Sequence, residues 1–295
     1  MANLKTLKTR IKSVKSTQKM TKAMKMVAAS RLKKAKQQVE SSRPYANKIE
    51  EMISDLASNI AVKDSFNEKF PLLTGNGKDK THLVVVFSSD RGLCGGLNSA
   101  TVKFAKIHIN SLVTKGKHVK IFCVGRKAYE QLKITYKKEI IDHSFGIFKG
   151  LIDYKTALEL SEKIVALFKK GEFDVCDVIY SKFKSAIAQE QVQKQLIPAQ
   201  IKFEENASSL SSPINYEPGE EAILEELLPK NLAIQIYNEL LENSASEQGA
   251  RMAAMEAATN NAGKMIKNLT LVYNRTRQAN ITKELIDIIS GANAV

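Results

Sequence analysis

Near the start of the chain, apolar residues recur every three or four positions: Leu4, Leu7, Ile11 and Val14, then again Ala28, Leu32, Ala35 and Val39. Gln18, Thr21 and Lys25 keep the same spacing between the two groups. This is the pattern of a helix with one seam against a partner helix. Where the seam loses its apolar content, Met20, Met24, Met26 and Val27 spread around the helix, as in a helix that touches more than one neighbour. Pro44 is a candidate kink, and the stripe resumes at Ile49, Met52, Ile53, Leu56 and Ile60. A helix continuous to about Ile60 would be ~90 Å long at 1.5 Å per residue, too long for a small domain to enclose.

Residues 63–80 read as a linker broken by Pro71, Gly75 and Gly77, and beyond them the period changes. His82–Ser88, Val119–Val124 and Val175–Tyr180 are short apolar runs that predict buried strands, and Gln195–Glu204 predicts an edge strand. Helical stretches lie between them, near Ala100–Thr114 and Tyr154–Lys169. Such alternation implies an α/β domain with a largely parallel sheet. Glu205–Gly219 is a polar loop. From about Gly219 to Ser290 the pattern is helical again, with Pro229 allowing a break near its start. Met255, Ala258, Ala262, Met265, Leu269, Val272, Thr276 and Ala279 form its seam, and small seam residues let two helices approach closely.

The fold class predicted is therefore α+β: a long antiparallel coiled coil of N- and C-terminal helices with an inserted Rossmann-like α/β domain. Its parts are an N-terminal shaft helix at 1–62, a linker at 63–80, the α/β domain at 81–205, a polar loop at 206–218 and a C-terminal helix at 219–295 that pairs with 1–62.

Charge sharpens this picture. Residues 1–48 carry 14 Lys/Arg against one acid, Glu40, while the whole chain holds 45 basic and 31 acidic residues, so the other 247 residues balance near zero. A helix that only builds a core needs no such excess; it implies an acidic partner. Glu217–Glu256 holds nine acids against Lys230 and Arg251, so antiparallel pairing would lay an acidic stretch beside the basic one. Ala257–Lys283 has five bases and no acid.

With 43% apolar and 26% charged residues the chain is globular in composition, and no apolar run approaches the ~18 residues needed to span a membrane. Cys94, Cys123 and Cys176 have no CxxC partner and read as reduced packing residues. His82, His108, His118 and His143 show no metal-ligand spacing. Ser88–Asn98 (SSDRGLCGGLN) follows a strand and precedes a helix, where a Rossmann-like domain would seat a phosphate. Its spacing fits neither GxGxxG nor GxxxxGK[ST], so a tight turn is the simpler account. GxSxG, HExxH and a Cys/His pair are absent. No catalytic, cofactor-binding or metal residue is assigned and no cofactor is expected. At this point the basic helix fits an acidic protein sleeve or a nucleic acid equally.

Longer motifs narrow the choice. Gln18–Leu32 (QKMTKAMKMVAASRL), Ser88–Asn98, Ser246–Ala262 (SEQGARMAAMEAATNNA), Leu271–Glu284 (LVYNRTRQANITKE) and Ile289-Ser290-Gly291 resemble, in order and over nearly the whole chain, the signatures of the gamma subunit of rotary F-type ATP synthases.

The resemblance implies a non-catalytic central rotor shaft that couples ion-driven rotation of the c ring to ATP synthesis and hydrolysis at the beta subunits. A basic coiled-coil nucleic-acid-binding protein is the alternative. Partners implied are three alpha and three beta subunits, an epsilon subunit and the c-subunit ring; no nucleic acid is implied. Carried over by motif, Met24, Lys25, Arg277, Gln278, Thr282 and Glu284 would contact the alpha/beta ring, Met24 beside an acidic loop of beta. Arg251 would stabilise the shaft near Met24, and Tyr216 and Glu217 would touch the c ring or epsilon. The regulatory cysteine pair of the chloroplast form has no counterpart. The start Met1-Ala2-Asn3-Leu4 favours a bacterial protein, peripheral on the cytoplasmic face of the plasma (inner) membrane, over a mitochondrial one.

Overall fold

The run from His82 to Phe87 is apolar at nearly every position, and only a strand covered on both faces can bury all of it. In the computed structural model, which describes residues 4–60, 69–199 and 219–292, that run is the central strand β1 (Thr81–Phe87), and each residue from His82 on is buried. Before it come α1 (Leu4–Ile60) and the single turn α2 (Pro71–Thr74). After it follow α3 (Leu97–Thr114), β2 (His118–Val124), α4 (Arg126–Leu132), β3 (Ile140–Ser144), α5 (Tyr154–Lys169), β4 (Val175–Phe183), β5 (Gln189–Ile197) and α6 (Glu220–Ala292). The chain divides into one unit of residues 1–29 with 251–295 and a second of residues 30–250.

In the second unit the strands form one sheet in the order β3-β2-β1-β4-β5. The first four are parallel, with Thr81 beside His118 and His82 beside Val175, and β5 closes the edge antiparallel to β4. Alternate residues of each strand face opposite ways. Leu83, Val85, Phe87, Phe122 and Val178 meet Leu160 and Ile164 of α5 and Leu232, Ile236 and Leu240 of α6. Val84, Val86, Ile121, Cys123 and Ile179 meet Val102, Ala105 and Ile109 of α3 and Leu132 of α4. A third cluster joins Ile49, Ile53 and Leu56 of α1 to Leu73 of α2 and to Leu224 and Leu228 of α6.

This is the α+β architecture expected, with three corrections of detail. The edge strand is β5 at Gln189–Ile197, not Gln195–Glu204, of which residues 200–204 lie outside the described ones. Its sequence, QEQVQKQLI, is polar at most positions because it lies at the sheet edge, so hydrophobicity did not mark it. Pro229 does not break α6, and Pro44 lies within an unbroken α1. Burial of Leu224, Leu228 and Leu232 on one face of α6 outweighs the ~3 kcal/mol that an internal proline costs. Three elements, α2, α4 and β3, were not anticipated.

In the first unit α1 and α6 run antiparallel: Gln18 meets Gly263, Thr21 meets Thr259, and Lys25 meets Glu256. Leu7, Thr21 and Ala28 are buried along the seam. On α6 the third correction applies. Met255 and Ala262 are buried, but Met265 and Val272 are exposed, and Thr259, Ile266 and Tyr273 take the alternate seam places. Two heptad frames share residues 255, 262, 269 and 276 and differ by one residue between them. The frame with the bulkier Ile266 and Tyr273 faces the partner.

Candidate functional site

Among the described residues two places are candidates for function, and the first is the glycine loop. The strand order turns back on itself at the carboxyl ends of β1 and β4, where open α/β sheets seat ligands. Ser88–Asn98 occupies that point and fills it with its own side chains. One oxygen of the Asp90 carboxylate accepts the Arg126 N–H at 3.2 Å, and the other accepts those of Gly146 at 3.0 Å and Phe148 at 3.2 Å. Asn98 accepts the Ser89 N–H at 3.1 Å and donates to Ser89 Oγ at 2.7 Å and Cys94 Sγ at 3.1 Å.

Gly125 (φ +102°) lies so close beneath the loop that a Cβ there would fall 2.1 Å from the Ser88 carbonyl oxygen. Within the loop Gly95 (φ +60°) and Leu93 (φ +66°) take left-handed angles, while Gly92 and Gly96 do not. Cys94 and Cys176 are buried, and burial alone pushes the Cys123 thiol up to about 12.

Buried ionisable groups cluster elsewhere in the same unit. Asp177 on β4 accepts from His108 Nε2 at 3.1 Å and Gln193 Nε2 at 2.8 Å, and His82 Nδ1 stands 3.7 Å away. Burial works against the Asp177 charge, but these partners hold its carboxyl far below the usual range. The Asp177 carboxylate, and then Asp79 at 2.7 Å, raise the His82 imidazole. Glu239 of α6 is buried, and among the described residues its ionic partner is Lys194 Nζ at 3.1 Å. Loss of solvation pushes its carboxyl up to about 7. Among the described residues no group of three His, Cys, Asp or Glu is placed to hold a metal ion.

The second place is the helix pair of the first unit. Met24 is half-buried, and Lys25 directs its ammonium to Glu256 Oε1 at 2.5 Å. Arg251 is buried and lies five residues beyond Glu256, more than a turn away from the Lys25 contact. Arg277, Gln278, Thr282 and Glu284 stand exposed within two turns of α6, and Thr282 Oγ1 donates to the Gln278 carbonyl at 3.0 Å. The apolar residues around them are exposed too: Ile281, Leu285, Ile286, Ile288 and Ile289 are each about half or more accessible. The structure thus brings Arg277, Gln278, Thr282 and Glu284 together on a bare helix and keeps Met24 apart from them. Tyr216 and Glu217 lie outside the described residues. Sequence reasoning missed Glu256 and Thr259 as partners of Lys25 and Thr21; a charged residue within a seam was the sign that an opposite charge faced it.

No described helix is long and apolar enough to cross a membrane. A family model described as ATP synthase matches residues 3–295. The ATP synthase gamma chain of Rhodopseudomonas palustris (strain TIE-1) is 50% identical over 295 residues, covering 100% of both chains. That of Sinorhizobium fredii is 48% identical over 296 residues, with the same coverage. Among solved structures, a chain of the Tetrahymena thermophila mitochondrial ATP synthase central stalk and c ring is 27% identical, with TM-score 0.61 over 81% of this chain and 99% of that one. A Euglena gracilis mitochondrial ATP synthase chain, 19% identical with TM-score 0.67 over 99% and 94%, shares the fold. None of these relatives supports the nucleic-acid hypothesis. With curated relatives matched end to end at about half identity, the chain belongs to the ATP synthase gamma-chain family, a non-catalytic subunit of that complex.

Proposed function

We propose that the chain works as the central rotor shaft, standing in a ring of three alpha and three beta subunits above a c ring, with an epsilon subunit at its foot. In this account residues 1–62 and 219–295 form the shaft, 63–80 a linker, 81–205 the foot domain, and 206–218 the loop toward the c ring. Tyr216 and Glu217 touch the c ring or epsilon. Rotation driven by ion flow brings a different side of the shaft to each beta subunit, and the angle biases which conformation each catalytic site holds.

The observation that carries this is the bare end of α6. Half a dozen apolar residues exposed along a helix, from Leu271 to Ile289, need an enclosing partner. The excess of positive charge in residues 1–48 suits a partner with acidic loops. Arg277 and Gln278 are proposed to catch a beta-subunit loop in passing, because a guanidinium fork holds a carboxylate with two hydrogen bonds. Thr282 and Glu284 meet a collar of the ring higher up, Met24 faces the acidic beta loop, and Arg251 holds the helix pair below it. The complex belongs on the cytoplasmic face of a bacterial plasma membrane, in keeping with the bacterial source of the relatives.

Mixing the chain with purified alpha and beta subunits tests this. A complex of one to three to three with strongly stimulated Mg-ATP hydrolysis is expected, and Arg277→Ala in that complex should lower hydrolysis about tenfold, the loss of one bidentate contact of ~1.4 kcal/mol. Failure to assemble, with tight salt-sensitive DNA binding instead, would overturn the proposal.

A further inference from the structure

In the middle of the first unit the seam between α1 and α6 is polar for three successive layers. Thr21 Oγ1 lies 2.7 Å from Thr259 Oγ1, and Thr259 Oγ1 donates to the Met255 carbonyl at 2.7 Å. Thr21 Oγ1 also lies 3.1 Å from the Gln18 carbonyl, so each hydroxyl has an acceptor on its own helix and the 2.7 Å pair of hydroxyls is the contact across the seam. One layer away, Lys25 Nζ meets Glu256 Oε1 at 2.5 Å. On the other side Gln18 lies over Gly263, where a Cβ would come within 3.1 Å of the amide nitrogen, so a glycine lets the side chain cover the partner backbone. Thr21 is buried, which makes its hydroxyl pair one that water does not readily replace.

Apolar seams slide at low cost, because a shift of one turn puts one methyl-bearing side chain where another was. A polar seam position fixes register instead, since every other register gives up the pairing between the helices. Here the pairs are mutually exclusive with any shift. Moving one helix by a turn sets Thr21 against Met255 or Gly263 and parts Lys25 from Glu256.

We propose that Gln18, Thr21 and Lys25 with Gly263, Thr259 and Glu256 form a register lock, a set of positioning residues that stops the two shaft helices sliding past each other under torque. This rests on the rotor function. Lys25 accordingly serves Glu256 within the chain rather than the surrounding ring. A shaft that slips in register absorbs torque without passing it on, so catalysis and ion transport would come apart.

The test uses the whole membrane-bound complex and reads two quantities, Mg-ATP hydrolysis and ions pumped per ATP. Thr21→Val with Thr259→Val keeps side-chain shape and removes only the hydroxyl pair. It should assemble and hydrolyse ATP at the wild-type rate while ions pumped per ATP fall at least twofold. Lys25→Glu and Glu256→Lys alone should each lower that ratio, and the two together, which restore an ion pair of opposite sense, should bring it back. Wild-type ratios in every variant would overturn the lock. So would hydrolysis and pumping falling in proportion, which is what ordinary loss of packing does. If the exchanged pair pumped as poorly as Lys25→Glu, the charge at residue 25 would belong to the surrounding ring. That result would sink the lock and leave the rotor function standing.

Discussion

Glu239 carries the sharpest stability prediction. Its carboxyl is buried against β4 and β5, with Lys194 to offset the loss of water, and its folded value is pushed up to about 7 from an ordinary 4.5. A carboxyl raised on folding binds its proton more tightly in the native chain than in the unfolded one. Its contribution is therefore fully present below about pH 4.5 and is lost as pH climbs through 7. A difference of about 2.5 units at 1.36 kcal/mol per unit comes to roughly 3 kcal/mol. The perturbation is Glu239→Gln, which keeps the shape and removes the proton equilibrium. Urea melts followed by circular dichroism at several pH values from 4.5 to 8 should show wild type losing about 3 kcal/mol more than the variant over that range. His82 titrates in the same direction, but it is common to both proteins and cancels in the difference. Parallel curves would refute the reasoning, because they would mean the buried carboxyl finds its water or its partner in both states.

Other perturbations follow from the same unit. Gly125→Ala forces a Cβ to 2.1 Å from the Ser88 carbonyl at a φ of +102°, so a loss of at least ~4 kcal/mol or failure to fold is expected in thermal melts. Asp90→Ala strips the acceptor from three backbone N–H groups and should cost about 2–4 kcal/mol, with Asp90→Asn in between; nucleotide should bind neither variant in equilibrium dialysis. His82→Gln should remove stability seen below about pH 6.5 and leave stability at pH 8.5 little changed. The imidazole is raised by Asp177 and Asp79, and that contribution disappears as pH rises through its folded value. Cys123 should resist alkylation until the chain unfolds, measured by mass spectrometry of labelled peptides.

What the sequence disclosed depended on how each element meets its surroundings. β1, β2 and β4 were legible because burial on both faces requires continuous apolar runs. α1 was legible because Leu7, Ala28, Leu32, Ala35 and Val39 bury one narrow stripe. β5 and β3 were obscure for the opposite reason: as edge strands they alternate or lack apolar residues, and nothing marks a polar strand as a strand. The seam frame on α6 could not be settled between Met265 and Ile266, or between Val272 and Tyr273, until the partner helix was in place.

The hardest stretch was 231–250, buried almost throughout although it holds Asn231, Glu239, Asn243, Ser246, Glu247 and Gln248. Amphipathic patterning fails for a helix enclosed on all sides, and its polar residues are held by the sheet. Ser246 donates to the Ser181 carbonyl at 2.8 Å, and Glu242 accepts the Phe183 N–H at 3.0 Å. Of the candidate site, spacing argued for a tight turn at the glycine loop, while its filling by Asp90 and Asn98 and the pairing of Lys25 with Glu256 needed the structure.

The fate of the acidic stretch decides what the basic N-terminal segment is for. If Glu217–Glu256 existed to neutralise it, those acids would meet α1. Among the described residues Glu256 does so at Lys25, and Glu242 at Arg43, 3.7 Å away. Glu239 serves Lys194 of β5, Glu226 serves Lys230 on its own helix, and Glu221 serves Lys69. These pairs tie α6 to β5, to Lys69 and to itself. Meanwhile Lys8, Lys12, Lys15, Lys19 and Lys22 stand exposed on α1. Exposed lysines at this density repel one another unless something acidic surrounds them. On the proposed function, that excess faces the surrounding ring. Reversing three of those lysines to glutamate should accordingly slow assembly with alpha and beta subunits, most at low salt, while leaving the melting of the foot domain unchanged. Assembly at the wild-type rate would mean that the exposed apolar residues of α6 suffice and that the charge is incidental.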